Sequence, residues 1–363
     1  MAAYFEILGL ILLHYIYPKG KVHFRVINII FSLMFAFVVG FRTPGLGWDY
    51  YSYERIYNSI PSLIVSGSFY IPDTGVEILF QFLISVCKTF GFSYRLFLGF
   101  FSFLITYILG IAIIRIEPTY YIQAMSMYFC YYFLRYQFNT IRHGFLLSIL
   151  LLSLSYLLEN KKLIFFVLVL IGTGFHSLSI IFLIFFPLGM KRYNLNFIYF
   201  SLIVSFLFYN FFSLSSILIK FFPSNYYISL YYSYIEAGNV SKSISIGTIV
   251  NLLLIFYCCS IAKTYNKNVF ITVFVNCLIF SCIVNFVSWD VGVFTERICG
   301  IFNVALIFLI PNIMKAMNKK YKSVTVYSFI VVMFTMYLLY YLNQNVHINN
   351  NGLYAYIPYS IYF

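Results

Sequence analysis

The chain has 363 residues, of which 62% are apolar and only 9% charged, with 44 phenylalanines and 36 tyrosines. A soluble domain carries about 25% charged residues, so this composition excludes an ordinary water-facing fold. A net charge of +13 would point to nucleic acid in a soluble protein; here the basic residues sit in short loops between apolar runs, and membrane orientation accounts for them with no nucleic-acid partner.

In chain order the apolar segments cover 3–17, 26–41, 75–90, 96–114, 119–134, 143–158, 163–175, 177–189, 196–214, 244–262, 269–287, 298–314 and 323–342. Many approach the length that crosses a bilayer as helix, about 17–25 residues. They are continuous rather than alternating, which favours helices over a barrel. The expectation is an all-α polytopic integral membrane protein, one integral domain over residues 1–363, with about 11–13 segments and at least one short or re-entrant. The stretch from Met1 to Tyr17 lacks a basic leader and a small-residue cleavage site, so it reads as a first helix rather than a signal peptide. Cys87, Cys130, Cys258, Cys259, Cys277, Cys282 and Cys299 all fall in apolar runs. None has metal or redox spacing, and they read as small buried residues.

Basic clusters orient the segments. Lys19, Lys21 and Arg25; Lys161 and Lys162; Lys191 and Arg192; Lys263 and Lys267; and Lys315, Lys319, Lys320 and Lys322 are assigned to the cytoplasm. The loops 42–74, 220–243 and 288–297 and the tail from 343 then fall outside. They carry Asp49, Glu54, Asp73, Glu236, Asp290 and Glu296. From Lys191 onward the alternation is regular. Before it, four apolar segments lie between the external loop at 42–74 and Lys161, which gives the wrong parity if all cross. Segment 119–134, short and polar-edged, is the expected irregular one. Two short helices meeting near Gly172–His176 would keep both basic ends of 163–189 inside and bring His176 toward the external side.

Residues 42–54 concentrate the polar chemistry. Arg42 opens an RxxxxGxDY pattern that closes on Gly47, Asp49 and Tyr50. Thr43 precedes a proline and should be extended, Gly45 and Gly47 permit a tight turn, and Asp49 is placed to cap a helix. Asp49, Tyr53 and Tyr57 would share one face of that helix. Arg142, beside His143, and Arg297 are each expected at the external start of a helix. Guanidinium forks match phosphate oxygens, and helix N-termini add a positive field. Arg42, Arg142 and Arg297 therefore suggest a diphosphate site. The structural alternative pairs Arg297 with Glu296 or Asp290 and sends Arg142 to lipid headgroups. Glu77 opens an apolar helix. It is either a buried carboxylate with a raised pKa suited to a general base or a first-turn acid. His176 is either core or catalytic. Tyr226, Tyr227, Tyr231, Tyr232 and Tyr234 make 220–243 a Tyr-rich loop, suited equally to sugar stacking and to the membrane interface. No HExxH, DxD or P-loop pattern occurs, so neither a metal nor a cofactor is expected.

The order of these motifs resembles the EpsG/Wzy-type polysaccharide (O-antigen or exopolysaccharide) polymerases. Phe41-Arg42, Gly47-x-Asp49-Tyr50 and Tyr53 are similar to their first external loop. Glu77, Asn139-x-x-Arg142, Phe175-His176, Arg297 and Pro358-Tyr359 follow in family order. His143 stands where the family often has Gln, and Ser177-Leu178-Ser179 departs from its usual register. The resemblance implies a multi-pass protein of the bacterial cytoplasmic (inner) membrane. Such a protein transfers a glycan from one undecaprenyl-diphosphate carrier to a repeat unit on another, at the external face. It implies Arg42, Arg142 and Arg297 on diphosphates, Tyr50 and Tyr53 on glycan, and Asp49, Glu77 or His176 in catalysis. Lipid-linked oligosaccharide is then the substrate, with membrane lipid, a chain-length regulator and a flippase as further partners. A membrane O-acyltransferase acting on a surface glycan, and a non-catalytic lipid-linked sugar flippase or transporter, are the alternatives.

Overall fold

The computed structural model describes residues 6–9, 21–66, 75–185, 187–221, 244–261, 263–265, 268–318 and 339. The expected segments 3–17 and 323–342, the Tyr-rich loop beyond Phe221 and the tail motif Pro358-Tyr359 lie wholly or mostly outside them. The protein is an all-α polytopic membrane protein. Four described helices are long and apolar enough to cross a membrane, or five if the bent pair Phe294–Asn303 and Leu306–Ile313 is one span. Four shorter apolar helices accompany them. All seven cysteines are buried, and none is in a disulfide.

The chain divides into two compact units, Met1–Leu183 with Ile310–Phe363, and Ile184–Leu309. In the first, α1 (Lys21–Gly40) leads through the 42–49 loop to α2 (Tyr50–Ser59). Then come α3 (Ile78–Thr89), α4 (Tyr94–Ile116) and α5 (Tyr121–Tyr128). The last continues as a π-helix over Phe129–Asn139 and is followed by α6 (Ile141–Leu158) and α7 (Lys162–Phe175). A 3-10 helix, Ser177–Phe185, ends the run.

Side-chain contacts give the directions. Gly40 sits against Arg95 and Gly99 while Asn28 donates to the Tyr107 carbonyl, so α1 and α4 are antiparallel. Phe101 stacks on Phe145 and Arg115 reaches Ser155 and Glu159, so α4 and α6 are parallel. The chain between them must return from one end of the bundle to the other. Tyr121 donates to Asn28, Phe133 packs on Phe35 and Arg42 donates to the Gln137 carbonyl, which traces that return along α1. Residues 121–139 thus traverse the bundle, although irregularly.

The parity problem is resolved elsewhere. Glu77 at the start of α3 pairs with Arg142 at the start of α6, while Lys88 near its end donates to Asn58 and Ile60. Twelve residues span about 18 Å, short of the ~30 Å hydrocarbon core. Both ends of α3 stay at the end of the bundle where α4 and α6 begin. Segment 119–134 is irregular as expected, running into the π-helix, but the segment that does not run through the bundle is α3. Its apolar composition concealed this, because a helix lying on other helices is as apolar as one crossing lipid.

The π-helix follows from its aromatic spacing. Its wider turn brings residues four to five apart into line, and Tyr128, Tyr132 and Tyr136 stack in succession. The Thr140 N–H reaches back five residues to the Arg135 carbonyl. Gln137, fully buried, accepts from Ser102 and donates to Thr106 and Tyr128. The bonds to Ser102 and Thr106 tie the π-helix to α4 and the bond to Tyr128 ties it back to α5, so the buried amide is paired as lipid requires.

As expected, the 163–185 region folds into two pieces meeting at His176. The Ser179 hydroxyl donates to the Val169 carbonyl and Phe182 returns to Phe165, so the 3-10 helix doubles back along α7.

The second unit holds α8 (Leu195–Phe211), α9 (Leu214–Phe221), α10 (Ile246–Phe256), α11 (Val269–Val287) and α12 (Gly292–Asn303), with α13 (Leu306–Asn318) leaving it. Asp290 is buried and accepts from the Ser213 hydroxyl and from the Ser215 hydroxyl and N–H, which fixes the start of α9.

Candidate functional site

One end of the first unit gathers the start of α3, the start of α6, the end of α7 and the face of α2. These bring together four residues singled out in the sequence: Tyr53, Glu77, Arg142 and His176. Glu77 and Arg142, 65 positions apart, form an ion pair with both side chains about one-fifth exposed. The other Glu77 oxygen, Oε1, accepts from the Ser177 N–H at 2.8 Å and lies 4.0 Å from His176 Nδ1. Tyr53 lies beside Arg142, within reach of its charge. The His143 ring packs edge-on against His176 at 5.4 Å and lies tilted against Tyr136 at 5.1 Å.

Local sequence explains each placement. Glu77 has extended backbone (φ −68°, ψ 149°) and stands at the N-cap of α3, yet its side chain does not cap that helix. It is turned toward Arg142 and Ser177. Gly174 lets α3 approach α7, since a Cβ there would strike Leu79. His176 is the extended link (φ −159°) between α7 and the 3-10 helix. Ser177, first residue of that helix, has a free-facing N–H of the kind anions occupy, and Glu77 takes it.

Burial opposes the charge on Glu77, but the Ser177 N–H and the Arg142 guanidinium outweigh it and hold the carboxyl below its usual range. This corrects the expectation of a raised pKa: burial alone would have raised it, and the partners were not visible in sequence. At rest Glu77 is an ion-paired carboxylate, a weak proton acceptor.

The RxxxxGxDY loop serves a different role at the same end. Arg42 is 1% exposed. It donates to the Gln137 carbonyl at 3.5 Å, with its guanidinium carbon 4.5 Å from the Phe138 ring centre and 5.3 Å from that of Tyr50. Gly47 presses on the Phe138 carbonyl, and the Trp48 N–H donates to Asn139 at 2.7 Å. Arg42 thus pins the loop to the segment that leads into Arg142. Asp49 stands at the N-cap of α2 as expected and its carbonyl accepts from Tyr53, but its side chain makes no capping bond. The buried face of α2 is Tyr50, Tyr53 and Tyr57. Tyr50, expected on glycan, has its ring packed edge-on against Tyr94.

Arg297 belongs to the second unit. It lies in the middle of α12 rather than at its start, because the helix already begins at Gly292, and it is exposed. Of the alternative partners for Arg297, Glu296 or Asp290, the latter accepts from the serines instead. Among the described residues no group of three or more His, Cys, Asp or Glu side chains is arranged for a metal.

Sequence reasoning missed four contributors. Ser177 acts through its backbone, which no residue type announces. Gln137 was hidden in an aromatic run. Trp48 and Tyr51, 46% and 48% exposed, are the open rings of the loop; the tyrosines chosen instead, Tyr50 and Tyr53, are the helical positions that turn inward.

A family model described as the EpsG family matches residues 25–361, nearly the whole chain. No curated protein and no solved structure gives a significant match.

Proposed function

The chain belongs to the EpsG family, which supports a polysaccharide-polymerase type of function, and on that footing we propose that it joins lipid-diphosphate-linked oligosaccharide repeat units at the external face of the inner membrane. The observation that carries this is the meeting of Glu77, Arg142, His176 and the Ser177 N–H at one end of the helix bundle. That end offers a guanidinium fork and a helix N-terminus, the two features that recognise phosphate oxygens. The opposite end of the same helices carries Arg115, Lys161 and Lys162. Arg42, Lys88, Arg95 and Arg142 stand at the site end, so the external face is taken from what the resemblance implies and not from charge.

The reaction is a glycosyl transfer. The bond between the donor's anomeric carbon and the diphosphate breaks, and its electron pair leaves on the diphosphate oxygen. An acceptor hydroxyl oxygen bonds to that carbon and gives its proton to a nearby base. Arg142 stabilises the charge growing on the leaving group. Asp49, Glu77 and His176 are the groups at hand for the proton. Arg42 positions the loop and the start of α6, and the open rings of Trp48 and Tyr51 provide sugar-stacking faces. Undecaprenyl diphosphate is the carrier the resemblance implies.

The glycan profile of cells lacking the protein tests this reading. Loss of polymer with a single repeat unit left on each lipid carrier is expected. Unchanged chain length with a missing acyl group would replace it with an acyltransferase, and failure of the repeat to reach the outer face would replace it with a flippase.

A further inference from the structure

The resting contacts of Glu77 raise a chemical question. Its carboxylate occupies the Arg142 guanidinium and, at 2.8 Å, the Ser177 N–H. These are the donors a phosphate would seek. We propose that Glu77 is an exchangeable place-holder for the diphosphate, which displaces it from Arg142 and Ser177 and so frees its carboxylate to take the proton of the acceptor hydroxyl. The inference rests on the reading of Arg142 as the diphosphate-holding residue.

Geometry makes the exchange accessible. Glu77 and Arg142 are each about one-fifth exposed, and Ser177 is exposed, so an anion can reach the pair from outside. Glu77 does not cap its own helix, so its side chain can swing away without undoing the first turn of α3. Two anions competing for one guanidinium exclude each other. A diphosphate carries more charge and more acceptor oxygens than a carboxylate, so it wins at Arg142. Once released, the carboxylate loses the partners that suppress its basicity, while His176 Nδ1, now 4.0 Å away, remains beside it. The proton-accepting group thereby becomes competent only when a donor is seated. The step balances: the acceptor O–H proton moves to Glu77, the acceptor oxygen bonds to the anomeric carbon, and the diphosphate departs with the bonding pair.

The test uses the full-length protein in lipid nanodiscs with farnesyl diphosphate as probe, measured by titration calorimetry, for wild type, Glu77→Gln and Arg142→Ala. Glu77→Gln keeps the shape and a hydrogen bond to Ser177 but removes the competing charge. It should bind the probe about tenfold more tightly yet make no polymer from lipid-linked repeats. Equal or weaker binding by Glu77→Gln, with binding still dependent on Arg142, overturns the exchange while the diphosphate reading stands. Binding indifferent to Arg142→Ala overturns that reading and the exchange with it. Full polymerisation by Glu77→Gln overturns the proton-accepting role. If Glu77→Gln does not accumulate, infrared difference spectra of wild type labelled with carboxyl-13C glutamate decide the matter. Adding the probe should move one carboxylate band out of its ion-paired position, and an unchanged carboxylate region overturns the exchange.

Discussion

Gly47→Ala is the sharpest test of how the RxxxxGxDY loop supports the site. Gly47 has φ +104°, a conformation that costs an L-residue about 1–2 kcal/mol. An added Cβ would also lie 2.6 Å from the Phe138 carbonyl oxygen and 3.1 Å from Asn139 Oδ1. An ordinary carbon–oxygen approach is about 3.3–3.6 Å, so the loop must retreat from the π-helix by roughly 0.8 Å. Overpacking of this size costs about 1–3 kcal/mol. The sum is about 2–5 kcal/mol. Gly91→Ala is the internal control, since Gly91 has φ +76° but open space where its Cβ would go. It should lose only the conformational part, about 1–2 kcal/mol. Thermal unfolding of purified protein in detergent measures both. Retreat of the loop also loosens Arg42 from Gln137 and shifts the start of α6, so polymer yield should fall for Gly47→Ala and persist for Gly91→Ala. A Gly47→Ala protein no less stable than Gly91→Ala would refute the docking argument.

Other outcomes follow from the same contacts. Gln137→Leu removes two interhelical hydrogen bonds, to Ser102 and Thr106, and one to Tyr128 within its own segment; at about 0.6 kcal/mol per interhelical bond in a membrane it should cost at least about 1 kcal/mol, read as a lower unfolding midpoint. Because the folded-state pKa of Glu77 is lowered, by Ser177 and Arg142 against burial, its stabilising contribution is complete above the unfolded carboxylate pKa of about 4.3 and is lost as pH falls through the folded value. An acid unfolding series should therefore show a shallower acid limb for Glu77→Gln than for wild type, with His176, Arg142 and Tyr53 the other titratable or charged groups at the pair. Arg297→Ala, at an exposed position in α12, should leave the unfolding midpoint within about 0.5 kcal/mol of wild type, measured by thermal unfolding in detergent.

The fold class was legible because lipid removes the usual ambiguity: a chain that is 62% apolar with continuous runs has few structures open to it. The hairpin at His176 was legible from basic residues at both ends of a run too long for one short helix and too short for two crossings. The course of α3 was not, since helix-packed and lipid-facing surfaces have the same composition. Arg42 shows a similar limit for the site. A cation in a loop invites a ligand, but Arg42 is buried with its guanidinium over the Tyr50 and Phe138 rings, and those residues are distant or helical in ways no spacing reveals. Glu77 and Arg142 were each visible as charges at helix starts. Their pairing across 65 positions was not, and that pairing determines what either can do.

The most direct measurement is polymerisation by the purified protein of a lipid-diphosphate-linked repeat unit, comparing Arg142→Ala with Arg115→Ala. Arg115 is ion-paired with Glu159 at the far end of the same bundle. A ladder from wild type and from Arg115→Ala, with unextended input from an equally folded Arg142→Ala, is predicted. A normal ladder from Arg142→Ala would contradict the account.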